Sequence, residues 1–132
     1  MDAVEQRLRA AEFLDFLHAE VGILPIWICP IRAPVTPAPF ALYPLDPARL
    51  YVNFGFWDVV RAREPHPPGH FNRLIERKVS ELGGIKSLYS DSYFPREEFW
   101  SIYDKQAYDA LKARYDPHGR LKDLYEKCVL GH

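Results

Sequence analysis

Apolar residues Val4, Leu8, Ala11, Leu14, Leu17 and Val21 recur at helical spacing, with Glu5, Arg7, Arg9, Asp15 and Glu20 largely between them. This predicts an amphipathic first helix with one buried stripe, ending near Gly22. The run Ile23 to Arg32, ILPIWICPIR, is apolar and β-branched, as in a strand buried on both faces; Pro25 and Pro30 sit at its ends or mark an edge strand. Residues 33–49 hold five prolines in seventeen residues, which permits neither a ladder nor a helix. From Leu50 to Trp57 the pattern alternates: Val52, Phe54 and Phe56 face one way, Tyr51, Asn53, Gly55 and Trp57 the other. Phe71, Leu74, Ile75, Val79 and Leu82 mark a helix stopped by Gly83-Gly84. Ile85 to Tyr93 predicts a third strand. Pro95 then opens a helix with Glu97 and Glu98 near its positive end and a stripe of Trp100, Tyr103, Ala107, Leu111 and Tyr115. YDPHGR interrupts it, and Leu121, Leu124, Tyr125 and Cys128 form a last short helix.

The order helix, strand, strand, helix, strand, helix, helix lacks strict βαβ alternation. It predicts an α+β fold with a small antiparallel sheet of about three strands packed against helices. A chain of 132 residues is expected to form one domain, 1–132. Three strands leave two sheet edges, which natural proteins cover, so the pattern hints at a part of a larger body or at pairing of two copies through an exposed edge.

Composition narrows the function classes. Seventeen basic against eighteen acidic residues leave a formal charge of -1, no footprint for nucleic acid. No apolar run reaches a membrane-spanning length, and the N-terminus lacks a signal-peptide pattern, so a cytoplasmic setting is expected. Cys29 and Cys128 lie far apart and are expected to be buried thiols rather than a disulfide. There is no GxGxxG, no GxxxxGK[ST] and no GxSxG, and nothing pairs a nucleophile with a base as a hydrolase would. His66 and His70 are four apart in HPPGH, but the prolines and glycine between them forbid a helical ligand pair, so no metal site is expected.

The stretch GGIKSLYSDSYFPREEFW spaces Tyr89, Asp91 and Tyr93 two apart. On a strand they share a face, and the face bearing Asn53 and Trp57 could lie alongside. Such a surface, aromatic but dotted with hydrogen-bonding groups, suits a flat ring or a greasy substrate with one polar end. It is equally what a half-exposed sheet face looks like, since Tyr and Trp favour strands.

The segment from Gly83 to Cys128, with LYSDSY, REEFW and the closing YDP-HGRLKDLYEKC, resembles the C-terminal end of FAD-linked oxidoreductases of the sterol Δ24-reductase type. Upstream, PIWICPIR and YVNFGFW stand where that family has a W-x-C-P strand and an aromatic strand. The resemblance implies a vanillyl-alcohol-oxidase-type enzyme in which an N-terminal domain holds FAD and a C-terminal cap shapes the substrate pocket. This chain would correspond to the last part of the cap, with the FAD-binding domain absent and supplied as a missing domain or subunit. The implied activity is reduction of a C=C bond in a sterol or branched fatty acyl lipid, with NADPH a candidate electron donor. The chain would be inactive alone, cytoplasmic or held at a membrane through its lipid substrate. An isolated alkene accepts hydride poorly, so an acid in a low-dielectric pocket is needed. Burial would keep Asp91 protonated, and Tyr89 or Tyr93 could relay the proton. Asn53 and Trp57 are candidates for binding substrate. Lys86 is a candidate for a flavin carbonyl or cofactor phosphate, or else a solvated lysine, and Arg96 and Glu97 are expected to cap and anchor their helix. The alternative is a free-standing α+β module that binds a lipid or a protein without redox activity.

Overall fold

The computed structural model describes residues 3–37 and 40–131, with side chains described from Leu8 onward. Val4, at the head of the expected first stripe, lies outside those side chains. Helix α1 (Ala3–Phe16) runs into one wide turn, Leu17–Val21, in which the Gly22 N–H reaches back to the Leu17 carbonyl at 2.8 Å. This five-residue spacing is a π turn, and Gly22 closes it at φ 70°. The buried stripe differs from the expected one. Phe13, Leu17, Val21 and Ile23 are buried, whereas Leu8 on the expected stripe is exposed.

Strands β1 (Ile26–Ile31) and β2 (Tyr51–Phe56) form an antiparallel ribbon in the register Ile26 with Phe56 to Ile31 with Tyr51. Phe54, Phe56 and Ile26 pack on the α1 cluster together with Ile75, Val79 and Leu82 of helix α2 (His70–Glu81) and the turn that ends it. The expectation that β1 is buried on both faces is not met: Trp27 is exposed on the ribbon's far face, which nothing among the described residues covers, and Ile28, opposite Phe54 on the inner face, is exposed as well. Pro30 lies within the strand, as an edge position allows.

Helix α2 ends as expected at Gly83 (φ 66°), with the Gly84 N–H on the Val79 carbonyl at 2.8 Å. The third strand, Ile85 to Tyr93, does not form. Its backbone groups are taken by other partners. The Ser92 N–H donates to the Cys128 carbonyl at 2.8 Å, and the Tyr93 N–H donates to the Glu76 carboxylate at 3.0 Å. The Lys86 ammonium folds the chain over by donating to the Ser90 and Asp91 carbonyls. Among the described residues the fold is therefore α+β with a two-stranded antiparallel sheet and five helices.

The long helix expected after Pro95 is two helices, α3 (Arg96–Ile102) and α4 (Lys105–Tyr115). Asp104, at φ 35°, breaks it and caps α4 by accepting the Ala107 N–H at 3.0 Å. The break ends the stripe: Tyr103 is buried, while Leu111 and Tyr115 are exposed. Helix α5 (Leu124–Cys128) starts in a capping box, Asp123 accepting from the Glu126 N–H and Glu126 from the Asp123 N–H, so Leu121 falls outside it. Phe94, Phe99, Trp100, Tyr103, Tyr125 and Val129 make a second core. Both cysteines are free thiols, and both are half-buried rather than buried; burial pushes the Cys128 thiol up.

Candidate functional site

A cleft of about 560 Å³ lies between β2, the inner faces of α1 and α2, and the segments 43–45 and 83–90. Its floor is apolar, with Phe13, Phe54, Ile75, Val79 and Leu82. Polar groups stand around this floor, and two of them are fixed. Arg9 donates to the Leu82 carbonyl at 2.9 Å, tying α1 to the end of α2. The Tyr43 hydroxyl donates to the Ile85 carbonyl at 3.4 Å, and burial raises its pKa. An apolar cavity with a few placed polar groups is the usual form of a small-molecule site.

Behind one wall of the cleft sits a buried polar knot. Glu76 of α2 and Ser92 are 2% and 0% exposed. Glu76 Oε1 accepts from the Ser92 hydroxyl at 2.9 Å and faces the Lys86 ammonium at 3.3 Å. The Tyr93 N–H lies within 3.0 and 3.1 Å of the two carboxylate oxygens. The Tyr103 hydroxyl donates to the Lys86 carbonyl at 2.7 Å, and burial, with the nearby Tyr43 and Glu76 adding to it, pushes that phenol well above its usual range. A buried carboxylate is tolerated only when paired and hydrogen-bonded, and here both conditions hold. The knot fixes the loop 85–93 against α2.

The residues proposed from sequence divide into two groups. Asn53, Lys86 and Tyr89 line the cleft; Trp57, Asp91 and Tyr93 do not. The shared face of Tyr89, Asp91 and Tyr93 is corrected, because it required a strand and the segment is a turn. Tyr89 is 91% exposed and Asp91 is exposed, so this chain alone does not form the low-dielectric pocket expected for Asp91. The Tyr93 ring lies beneath the Arg73 guanidinium, 4.9 Å from it, and against Gly69. A Cβ at Gly69 would stand 2.3 Å from that ring, and φ there is 71°, so HPPGH supplies the glycine that this contact needs. Lys86 is not a solvated lysine. Its ammonium already has acceptors in Ser90, Asp91 and Glu76. Trp57 follows β2 and is 89% exposed. His66 and His70 stack with ring centroids 4.2 Å apart, and among the described residues no three His, Cys, Asp or Glu side chains converge as a metal site.

The residues do not fit a flavin dinucleotide held by this chain alone. The left-handed glycines at 22, 83 and 119 follow helices rather than open them, and the space at Gly69, which does precede α2, is filled by Tyr93. The motif residues instead build the fold. Arg96 meets Asp123 at 3.2 Å and lies over the Tyr125 ring, anchoring α3 to α5 as expected, while Glu97 is an exposed first-turn acid. Asp116 of YDPHGR accepts from the Arg120 and Leu121 N–H groups and from Lys112. Sequence reasoning missed Glu76 and Ser92. The signal was present, since Glu76 stands beside Ile75 and three residues before Val79, where an amphipathic helix turns inward.

No protein-family model and no solved structure matches this chain. The Delta(24)-sterol reductase of Rattus norvegicus is 31% identical over 123 residues, which cover 89% of this chain and 22% of that protein. The Delta(24)-sterol reductase of Homo sapiens is 29% identical over 120 residues, covering 86% and 22%. That of Arabidopsis thaliana is 22% identical over 138 residues, covering 93% and 25%. The chain is related to a portion of the Delta(24)-sterol reductases and spans about a quarter or less of their length. No helix among the described residues is long and apolar enough to cross a membrane.

Proposed function

We propose that this chain is the substrate-side cap portion of an FAD-dependent reductase of C=C bonds in sterols or branched fatty acyl lipids, inactive until joined to polypeptide that carries the flavin. The observation that carries this reading is the asymmetry of the match: 89% of this chain but only 22% of a sterol reductase. The apolar cleft supports it, having room for part of a lipid and a few hydrogen-bonding groups, Asn53 and Tyr89 among them, for its polar end. In this reading the joined polypeptide covers the exposed Tyr89 and Asp91, and so supplies the dry surroundings in which they deliver a proton. Tyr93 supports them from its packed position. NADPH is the candidate electron donor.

The test is to co-express this chain with the rat enzyme from which the matched region has been removed, in the presence of FAD. The chain alone should be colourless. The pair should co-purify with a yellow chromophore and reduce a sterol side-chain alkene with NADPH. Absence of both association and reduction would overturn the proposal. The cleft's apolar floor, built wholly from this chain's own residues, favours one second reading, a lipid-binding module. Stoichiometric fatty acid or sterol binding by the chain alone, with no association, would establish that instead.

A further inference from the structure

Proline has no N–H to donate, so the Pro30–Val52 pair in the ribbon register cannot be one in which both residues exchange hydrogen bonds. Antiparallel pairs alternate. The bonded pairs are then Trp27 with Gly55, Cys29 with Asn53 and Ile31 with Tyr51. It follows that the N–H and C=O groups of Val52, Phe54 and Phe56 point away from β1, and those of Ile26 and Ile28 point away from β2. The two edges are not equivalent. Pro30 blunts the outer edge of β1, whereas the outer edge of β2 keeps a full row of donors and acceptors. Among the described residues no other segment pairs with it.

That open edge borders the cleft. All six residues of β2 line it, although alternate side chains of a strand point to opposite faces, so the cleft runs along the edge itself. The surface beside it is also bare. The Trp27 ring lies across the ladder over Gly55, and Trp27, Trp57, Leu24 and Val59 at that end of the ribbon are 64%, 89%, 65% and 80% exposed.

We infer that the outer edge of β2, Val52 to Phe56, is completed by an extended strand from another polypeptide, which extends the ribbon into a larger sheet and fills part of the cleft. The inference rests on the proposed function for its occupant. Three quarters or more of each relative's length lies outside the matched region, and that remainder is the polypeptide we commit to. Strand addition draws its affinity from main-chain hydrogen bonds and its register from the alternate side-chain pockets.

The experiment uses the co-expressed pair and reads amide exchange residue by residue. In the complex the amides of Val52, Phe54 and Phe56 should exchange at least roughly tenfold more slowly than in the free chain. Those of Asn53 and Gly55, already bonded to β1, should change little. Uniform or absent slowing along β2 would overturn the inference. Val52→Pro removes one outward donor opposite Pro30 and spares the β1 ladder, so it should abolish co-purification at an unchanged circular dichroism spectrum; Val52→Thr should not. Equal co-purification of Val52→Pro would overturn the edge and leave the proposed function standing. Failure of the unaltered chain to associate would overturn both. A dimer of this chain that Val52→Pro dissolves, with the rat polypeptide unbound, would assign the edge to a second copy and overturn the occupant.

Discussion

The two apolar clusters are built of similar residues and reach different ends. Around Phe99 the rings of α3 and α5 enclose one another: Phe99 and Tyr103 are 0% and 1% exposed, and the centroids of Trp100, Tyr103 and Tyr125 lie 5.1, 4.7 and 5.3 Å from that of Phe99. Around Phe13 the packing is one-sided. Phe54 meets Phe13 edge to face at 5.0 Å, but the ribbon that carries Phe54 leaves Trp27 in solvent on its other side. Helices can satisfy their own backbone and need only one covered stripe, whereas a two-stranded ribbon leaves edges and a face for something else to cover. The Glu76–Ser92–Lys86 knot joins the regions, holding the loop of the closed one against the helix of the open one.

If the regions differ in this way, equal truncations should cost unequal amounts. Phe99→Ala should lose about 3–5 kcal/mol in urea unfolding, as for a fully buried ring. Phe54→Ala should lose roughly half as much, since its side chain is only half-buried. Trp57→Ser should stay within about 0.5 kcal/mol. Similar losses at Phe99 and Phe54 would break the comparison.

The link between the regions comes next in size. Glu76→Ala leaves the Lys86 ammonium unpaired at 12% side-chain exposure and strands the Ser92 hydroxyl, which should cost about 3 kcal/mol. Glu76→Gln keeps an acceptor and should cost less. Adding Lys86→Met to Glu76→Leu should recover part of the loss, because the unpaired charge is then gone. A double variant no better than Glu76→Ala would show that the hydrogen bonds to Ser92 and Tyr93, rather than the ion pair, hold the loop.

How far the sequence spoke depends on which forces set each element. Helix ends were readable because they are local chemistry: Gly22 and Gly83 take positive φ where the apolar stripes stop. Both ribbon strands were readable because their pattern and β-branching agree. The third strand was misread because Ile85 to Tyr93 has a strand's composition, while its conformation is set by Glu76 and Cys128, distant in sequence. The break at Asp104 was missed for a related reason. A capping side chain and the burial of Tyr103 outweigh a helical pattern that runs through them. The cleft depends on segments as far apart as Arg9 and Tyr89, so spacing found only part of its lining: Asn53, Lys86 and Tyr89, without Arg9 or Tyr43.

The smallest effect probes what closes the helical region. Asp116 joins α4 to the turn before α5, and its carboxyl is held down to about 2, first by Lys112 and then by the Leu121 and Arg120 N–H groups. Lys112 is raised in turn, chiefly by its hydrogen bond to Asp116, so the two shifts agree. A depressed carboxyl stabilises the fold fully above its ordinary pKa of 3.8, and that stabilisation is lost as pH falls from there through about 2. The unfolding midpoint of the unaltered chain should therefore fall more steeply across this window than that of Asp116→Asn. The two curves should converge through the window and meet below it, where both side chains are uncharged. A gap that persists there would mean that the amide fails as an acceptor for the turn, and that shape rather than charge holds it. Because the turn belongs to the closed region, amide protection should be lost first around α4 and α5 in Asp116→Asn. Loss beginning in the ribbon instead would show that the two regions unfold as one and break their separation.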